Sequence, residues 1–150
     1  MLADAIVRAG EENPDAIVDV ATLTGAQVLS LGHRIAAVMS NDEEFRTQVE
    51  SAAERAGEEI WPMPLPAHLR KSIDSEVADL SNIGDRMGGM LVAGLFLKEF
   101  VGEGTPWAHL DIAGPAFNTV APYGYTPKGG TGYAVRTLVQ LAQDAADGLL

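Results

Sequence analysis

Three short apolar runs limit what this chain can fold into. They are "AIVDVATL" (residues 16–23), "RIAAVMS" (34–40) and "WAHLDIAG" (107–114). Each run is nearly continuous in apolar residues, which is the pattern of a strand covered on both faces. Segments with helical spacing separate the runs and leave room for crossover connections. The sequence therefore predicts an α/β fold with a mostly parallel sheet.

Helices are predicted on both sides of these strands. In chain order they cover residues 1–10, 25–32, 43–56 and 89–101, followed by a last helix with Val135, Leu138, Val139 and Leu141 inward. Asn41 or Asp42 is expected to cap the third helix. Three or four strands make a narrow sheet, and a parallel sheet needs cover on both faces. The expected architecture is therefore a partial three-layer αβα sheet.

The remaining segments are predicted to be irregular. Prolines at positions 62, 64 and 66 exclude helix and central strand, so we expect an extended surface passage there. A long loop is predicted from Pro115 to Gly130. The first helix has no capping residue before it. On that feature alone, a native terminus that frays is favoured over a chain that starts inside a larger element.

Composition narrows the class of protein. An apolar fraction of 47% and a charged fraction of 21% fit a soluble globular domain. The net charge of -11 argues against nucleic acid and anionic membranes as partners. No apolar run approaches the roughly 20 residues of a membrane span, and no signal peptide is visible. The expected location is cytoplasmic. The absence of cysteine excludes disulfides and thiolate metal sites.

Two loops are candidates for a ligand site, because ligands in open α/β sheets bind beyond the carboxyl ends of strands. In "DVATLTGA" (19–26), Gly25 allows close approach to a helix N-terminus, and Thr22 and Thr24 offer hydroxyl groups. The loop "LDIAGPAFN" (110–118) offers small residues for a pocket wall. For each loop taken alone, an ordinary strand-to-helix connection is the favoured interpretation.

Other candidates are weaker. The glycine-rich segment over residues 128–133 does not match a P-loop and is expected to cap the last helix. His109 lies in an apolar strand and is expected to be a hydrogen-bonded core residue rather than a metal ligand. Carboxylates between residues 74 and 79 could bind a cation, but a solvated surface is favoured. Asp111 needs a partner, either arginine or backbone N–H. These residues make no complete catalytic site.

The order of several motifs resembles a known family. "LADAI", "DVATLTGA", "DSEVADLSNIGD", "FLKEFVG", "WAHLDIAG" and "KGGTGYAVRTL" follow one another with family-like gaps. Together they resemble the C-terminal part of the leucyl aminopeptidase family, metallo-exopeptidases of the M17 type. The resemblance covers essentially residues 1–150. It implies the C-terminal half of a zinc-peptidase-like catalytic domain and favours a chain that starts within a larger domain.

The resemblance also implies an activity. Family members remove N-terminal residues from peptides, preferring leucine, with two divalent ions, zinc or manganese, that activate a water. A bicarbonate is thought to assist proton transfer, and the family forms homohexamers. The family's lysine and carboxylate metal ligands belong to a signature, Asn-Thr-Asp-Ala-Glu-Gly-Arg, and to segments further upstream. No metal ligand or catalytic residue is therefore assigned in these 150 residues, and the isolated chain is expected to be inactive.

Substrate-binding residues are implied by the same resemblance. The Thr-Leu-Thr-Gly turn of the family aligns the peptide backbone, which assigns that role to Thr22, Leu23 and Gly25. The pocket for the leucine side chain is assigned to Ile83, Ala113 and Ala116. The alternative hypothesis is a non-catalytic module that binds peptides or assembles oligomers.

Overall fold

The computed structural model describes all 150 residues, in which helices alternate with short strands. In chain order the elements are α1 (Leu2–Gly10), β1 (Ile17–Ala21), α2 (Gly25–Leu31), β2 (Ala36–Ser40), α3 (Glu43–Ala56), β3 (Ile60–Pro62), the 3-10 helix η1 (Ala67–Ile73), α4 (Gly89–Lys98), β4 (Trp107–Asp111), β5 (Phe117–Asn118), β6 (Gly129–Gly130) and α5 (Val135–Ala146). The three predicted strands and five predicted helices are all present. None of the helices combines the length and the apolar character that crossing a membrane requires.

Four strands form one sheet in the order β1-β4-β2-β3. β1 is parallel to β4, and β2 is parallel to β3. The central pair, β4 with β2, is antiparallel. Two of the three pairings are therefore parallel, which confirms the predicted α/β class with a mostly parallel sheet.

The antiparallel pair was not expected from the alternation of helices and strands. Its cause is the connection between β1 and β2, residues 22–35, whose one helix, α2, has only seven residues. A helix of that length rises about 10 Å and does not return the chain to the opposite edge of the sheet. β2 therefore starts near the edge where β1 ends and runs back in the opposite direction.

Helices cover both faces of the sheet, as the three-layer prediction requires. Alternate residues of a strand point to opposite faces. On one face, Val38 belongs to a core cluster with Phe45 of α3 and with residues of α5. On the other face, Trp107 packs with Ile6 of α1 and Leu97 of α4. The fully buried β4 lies between these two cores.

Helix α3 begins and ends as its sequence indicates. Asp42 is the N-cap, and its Oδ1 accepts a hydrogen bond of 2.8 Å from the backbone N–H of Phe45. Gly57 ends the helix in the left-handed conformation with φ 71°, which glycine adopts without steric cost. Between these caps, the apolar residues that recur at helical spacing, Phe45, Val49, Ala52 and Ala53, are all buried.

The proline-rich passage is more regular than predicted. Residues Ile60–Pro62 form the edge strand β3, a position that tolerates proline because one side of the strand needs no partner. The next residues, Ala67–Ile73, form η1 rather than irregular chain. The loop predicted from Pro115 to Gly130 also contains the paired strands β5 and β6.

The inward face of α5 was predicted wrongly. Val135, Leu138 and Val139 are exposed, and among the four residues expected inside only Leu141 is buried. The buried positions include Thr137 and Asp144 instead.

A buried carboxylate explains this rotation of α5. Glu58 accepts hydrogen bonds from the backbone N–H groups of Ala134 and Thr137, at 3.1 and 2.9 Å, and from the Thr137 hydroxyl at 2.6 Å. Leaving those buried polar groups unpaired would cost more than exposing a few apolar side chains. The polar contacts therefore fix which side of α5 faces the core.

Ionisation of the Tyr133 hydroxyl group is expected to make the free energy of unfolding depend on pH. Burial raises the pKa of Tyr133 above its usual range, and the Glu58 carboxylate acts in the same direction. The folded chain therefore retains the phenolic proton to a higher pH than the unfolded chain. The resulting stabilisation is complete below the unfolded pKa of about 10 and is lost progressively above it.

We expect Tyr133→Phe to reduce this alkaline loss, because phenylalanine does not titrate. Urea unfolding followed by circular dichroism between pH 8 and pH 11 measures it. Tyr123→Phe is the control, since that ring, stacked with the Arg34 guanidinium 3.9 Å from its centroid, is kept in the variant. An equally steep alkaline loss in Tyr133→Phe and in the unsubstituted chain would contradict the prediction.

Candidate functional site

The two loops identified in the sequence lie side by side at one edge of the sheet. Because β1 and β4 are parallel neighbours, their carboxyl ends meet at that edge, where Ala21 pairs with Asp111. The backbone N–H of Ile112 donates to the carbonyl oxygen of Ala21 at 2.9 Å, which extends the pairing by one step. We name residues 22–25 the first loop and residues 112–116 the second loop.

The carboxylate of Asp111 joins the two loops. Its Oδ1 accepts hydrogen bonds from the backbone N–H groups of Leu23 at 3.1 Å and of Ala113 at 3.2 Å. Its Oδ2 accepts one from the hydroxyl of Thr24 at 2.7 Å. The fully buried Asp111 thus finds the backbone N–H partners that its position demands. The Asp111 side chain thus holds Leu23, which lies 88 positions earlier in the sequence.

Gln27 joins the same loops from the side of α2. Its Nε2 donates to the carbonyl oxygen of Ile35 at 2.6 Å, and its Oε1 accepts from the backbone N–H of Gly114 at 2.6 Å. The side chain is fully buried. Its role was missed in the sequence. The available signal was the pattern Thr-Gly-Ala-Gln, since Thr24 and Gln27 occupy the two positions of a capping box. Half of that box forms, since the Thr24 hydroxyl accepts a hydrogen bond from the Gln27 N–H at 3.1 Å. The other half does not form, because the Gln27 side chain is bonded to Ile35 and Gly114 instead of the Thr24 N–H.

Gly114 allows the second loop to approach the end of α2. A Cβ atom at this position would lie 2.0 Å from the carbonyl oxygen of Gly32 and 2.9 Å from Oε1 of Gln27. Real Cβ atoms do not come this close to a backbone oxygen. The contact therefore requires glycine for reasons of space.

Five of the six predicted substrate-binding residues belong to these loops. In the first loop, Thr22 and Gly25 are exposed and Leu23 is half-buried. In the second loop, Ala113 and Ala116 are half-buried. The structure thus brings these five residues to one edge of the sheet.

Ile83, the sixth residue, approaches from a different segment. It is 78% exposed and lies between η1 and α4. Ile83 and Leu23 both line an open cavity of about 610 Å³, whose walls come mainly from α4, from residues 82–85 and from the start of α1. Ala113 and Ala116 do not line this cavity.

A divalent cation needs several oxygen or nitrogen ligands that converge on one point. No three histidine, aspartate or glutamate side chains come together in a metal-binding group. The buried carboxylates already have partners: Asp19 accepts from Trp107 Nε1 at 2.6 Å and contacts Nδ1 of His109, and Asp144 is paired with Arg55. The residues present do not fit a two-metal site.

His109 is a core residue, as expected. Its imidazole ring is fully buried and stacks on the ring of Trp107, and its Nδ1 is hydrogen-bonded to Asp19. The other nitrogen, Nε2, has no partner. The side chain lies on the same face of the sheet as Trp107, two residues before the end of β4, and its hydrogen bond is to Asp19 rather than to either loop.

Comparison with known proteins identifies the family. The model of the cytosol aminopeptidase family, catalytic domain, matches residues 1–139. This chain belongs to the cytosol aminopeptidase family. The probable cytosol aminopeptidases of Streptomyces avermitilis and Mycobacterium leprae are 70% and 54% identical to it over 148 residues each. These matches cover 99% and 98% of this chain but only 29% and 28% of the relatives.

Two solved structures have the same fold as this chain. The bottromycin maturation enzyme BotP aligns over 98% of this chain and 33% of its own, with a TM-score of 0.94 and 48% identity. A mutant of tomato leucine aminopeptidase aligns over 93% of this chain and 27% of its own, with a TM-score of 0.87 and 40% identity. The chain therefore has the fold of part of an aminopeptidase catalytic domain and spans less than a third of the length of the curated relatives.

A test of the loop junction follows from the space around Gly114. We expect Gly114→Ala to lower the free energy of unfolding by about 3 kcal/mol, because the methyl group would force the second loop away from α2. Gly130→Ala is the control, since nothing lies within 4 Å of the added atom, and should change stability by less than about 0.5 kcal/mol. Urea denaturation of both variants measures the difference. Equal stability of the two variants would show that the loops are not closely packed.

Proposed function

We propose that this chain supplies the substrate-binding wall of a leucyl aminopeptidase. The complete enzyme would remove N-terminal amino acids, preferentially leucine, from peptides. The observation that carries this proposal is the junction of the first and second loops at one edge of the sheet, with Asp111 between them. Membership of the family and the structural likeness to tomato leucine aminopeptidase support it.

The first loop is proposed to align the peptide backbone. Thr22, Leu23 and Gly25 would contact the substrate through main-chain groups, and the exposure of Thr22 and Gly25 agrees with this role. Such contacts recognise what all peptides share, whatever their sequence.

The second loop is proposed to receive the side chain of the N-terminal residue. Ala113 and Ala116 are small and apolar, and Ile83, which lines the neighbouring cavity together with Leu23, would extend the apolar wall from the segment before α4. Apolar walls with few polar groups suit an alkyl side chain such as that of leucine. In this arrangement the peptide backbone lies over the first loop while its first side chain faces the second.

The divalent ions are proposed to bind outside these 150 residues. Manganese is the ion in one BotP structure, and zinc and a bicarbonate are further candidates from the resemblance. When bound, such ions would activate a water as nucleophile and would polarise the scissile carbonyl group. Since the buried carboxylates here are engaged in internal hydrogen bonds and no three possible ligands come together, the ligands would come from other parts of the complete enzyme. This chain would bind and orient the peptide.

The setting of the complete enzyme is part of the proposal. Relatives of this chain are named cytosol aminopeptidases, and we propose a cytoplasmic homohexamer that acts on peptides with N-terminal leucine or a similar residue. The alternative, a non-catalytic peptide-binding or assembly module, is supported by the exposed apolar residues Val135, Leu138 and Val139 on α5. Such a face is available for contact with another protein.

The isolated chain is predicted to be inactive. Without ligands for two metal ions, the isolated chain cannot activate a water molecule for attack on the peptide bond. The proposed substrate-binding loops would still be present. Release of nitroaniline from leucine p-nitroanilide, with manganese added, measures activity. Hydrolysis by the purified chain, after removal of contaminating peptidases, would contradict this prediction.

A hybrid protein tests the proposed function itself. This chain would replace the matching 148-residue segment of the Streptomyces avermitilis relative. We expect the hybrid to hydrolyse leucine p-nitroanilide in the presence of manganese and to bind the aminopeptidase inhibitor bestatin in calorimetry. The unaltered relative is the positive control. A folded hybrid that neither cleaves the substrate nor binds bestatin would overturn the proposal and favour the assembly module.

A further inference from the structure

We infer that Asp111 is a positioning residue for peptide recognition, which holds the first and second loops in the arrangement that a substrate requires. The inference rests on the proposed function and extends it to a side chain that does not itself face the substrate. Asp111 is fully buried and lies at the end of β4, beneath both loops.

The three donors on Asp111 define this role. Two of them, the N–H groups of Leu23 and Ala113, belong to residues proposed to contact the peptide, and the third is the hydroxyl of Thr24 between Leu23 and Gly25. A carboxylate can accept all three because it offers two oxygens and several lone pairs. Hydrogen bonds to an ionised acceptor are also stronger than those to a neutral one. Asp111 therefore sets the spacing between the backbone-binding loop and the pocket wall.

The hydrogen bond to Leu23 also orients the carbonyl group of Thr22. In a trans peptide, the N–H of one residue and the C=O of the residue before it point in opposite directions. Holding the Leu23 N–H on the buried Asp111 therefore turns the Thr22 carbonyl oxygen away from the core. That oxygen accepts no hydrogen bond from the surrounding turns, loops and caps. It is available to a donor from outside, and the N–H groups of a bound peptide are donors of the right kind.

Gln27 supports the same arrangement independently. It links the second loop, through Gly114, to the start of β2, through Ile35. The second loop is thus held at Ala113 by Asp111 and at Gly114 by Gln27. With both loops fixed before a peptide arrives, binding needs little ordering of the protein, which favours affinity.

Asp111→Asn in the hybrid protein tests the inference. An amide keeps the shape of the side chain, but its NH2 group cannot accept the hydrogen bonds that one carboxylate oxygen receives. Displacements of about 1 Å at positioning groups can cost about 100-fold in rate. We expect kcat/KM for leucine p-nitroanilide to fall about 10- to 100-fold, mainly through KM, and the bestatin Kd to rise about tenfold, with bound manganese unchanged.

Asp144→Asn is the matched control. Asp144 is also a buried carboxylate that accepts side-chain hydrogen bonds, here from Arg55 and Gln140, but it lies on α5 away from both loops. Its replacement should lower the melting temperature and leave KM and the bestatin Kd within about twofold. A purely structural role for Asp111 would give the same result in Asp111→Asn, a lower melting temperature with unaltered KM, and would overturn the inference.

A second variant decides the matter if Asp111→Asn does not fold. Thr24→Val removes one donor to Asp111, together with the hydroxyl that caps α2, and leaves the carboxylate in place. A rise of about three- to tenfold in KM and in the bestatin Kd would support the inference, and unaltered values would overturn it.

The unsubstituted hybrid separates the proposed function from the inference about Asp111. If it is folded but inactive, the proposed function fails and this inference fails with it, whereas an active hybrid with insensitive variants overturns the inference alone.

Discussion

The parallel pairing of β1 with β4 is the constraint on which the site depends. Because these strands are neighbours and run in the same direction, residues that are about 90 positions apart leave the sheet at the same edge. The pairing alone would bring two loops close together without fixing them. The register that sets Asp111 opposite Ala21 adds the fixing contact, since a carboxylate at that point reaches the N–H groups of both loops.

Buried carboxylates organise other parts of the fold in the same way. Glu58 holds the start of α5, and Asp19 links Trp107 with His109 inside the sheet. Each of them accepts hydrogen bonds from groups that would otherwise be buried without partners, which is the condition under which a buried charge is tolerated. The chain thus uses its buried acidic residues to fix backbone positions. The same use leaves none of them available to a cation.

The sequence predicted the elements better than their orientation. For α3, hydrophobic periodicity and capping residues were enough to predict both its bounds and its buried face, because Asp42, the apolar stripe and Gly57 all indicate the same helix. They failed for α5, where the apolar stripe with Val135 and Val139 is exposed and the contacts of Glu58 decide which face turns inward. No local pattern reveals a partner 79 residues away. The site residues could be named only through the family resemblance, since each loop alone looks like an ordinary connection.

The proposed function determines which residues of this chain can be replaced without loss of peptide binding. If the first loop binds peptides through main-chain groups, the side chains of Thr22 and Leu23 can vary without removing those contacts. The requirement passes to the residues that hold the backbone in place. Asp111 must accept three hydrogen bonds, and Gly114 must leave room for the carbonyl of Gly32. Peptide recognition would then depend most on buried residues that a peptide never touches.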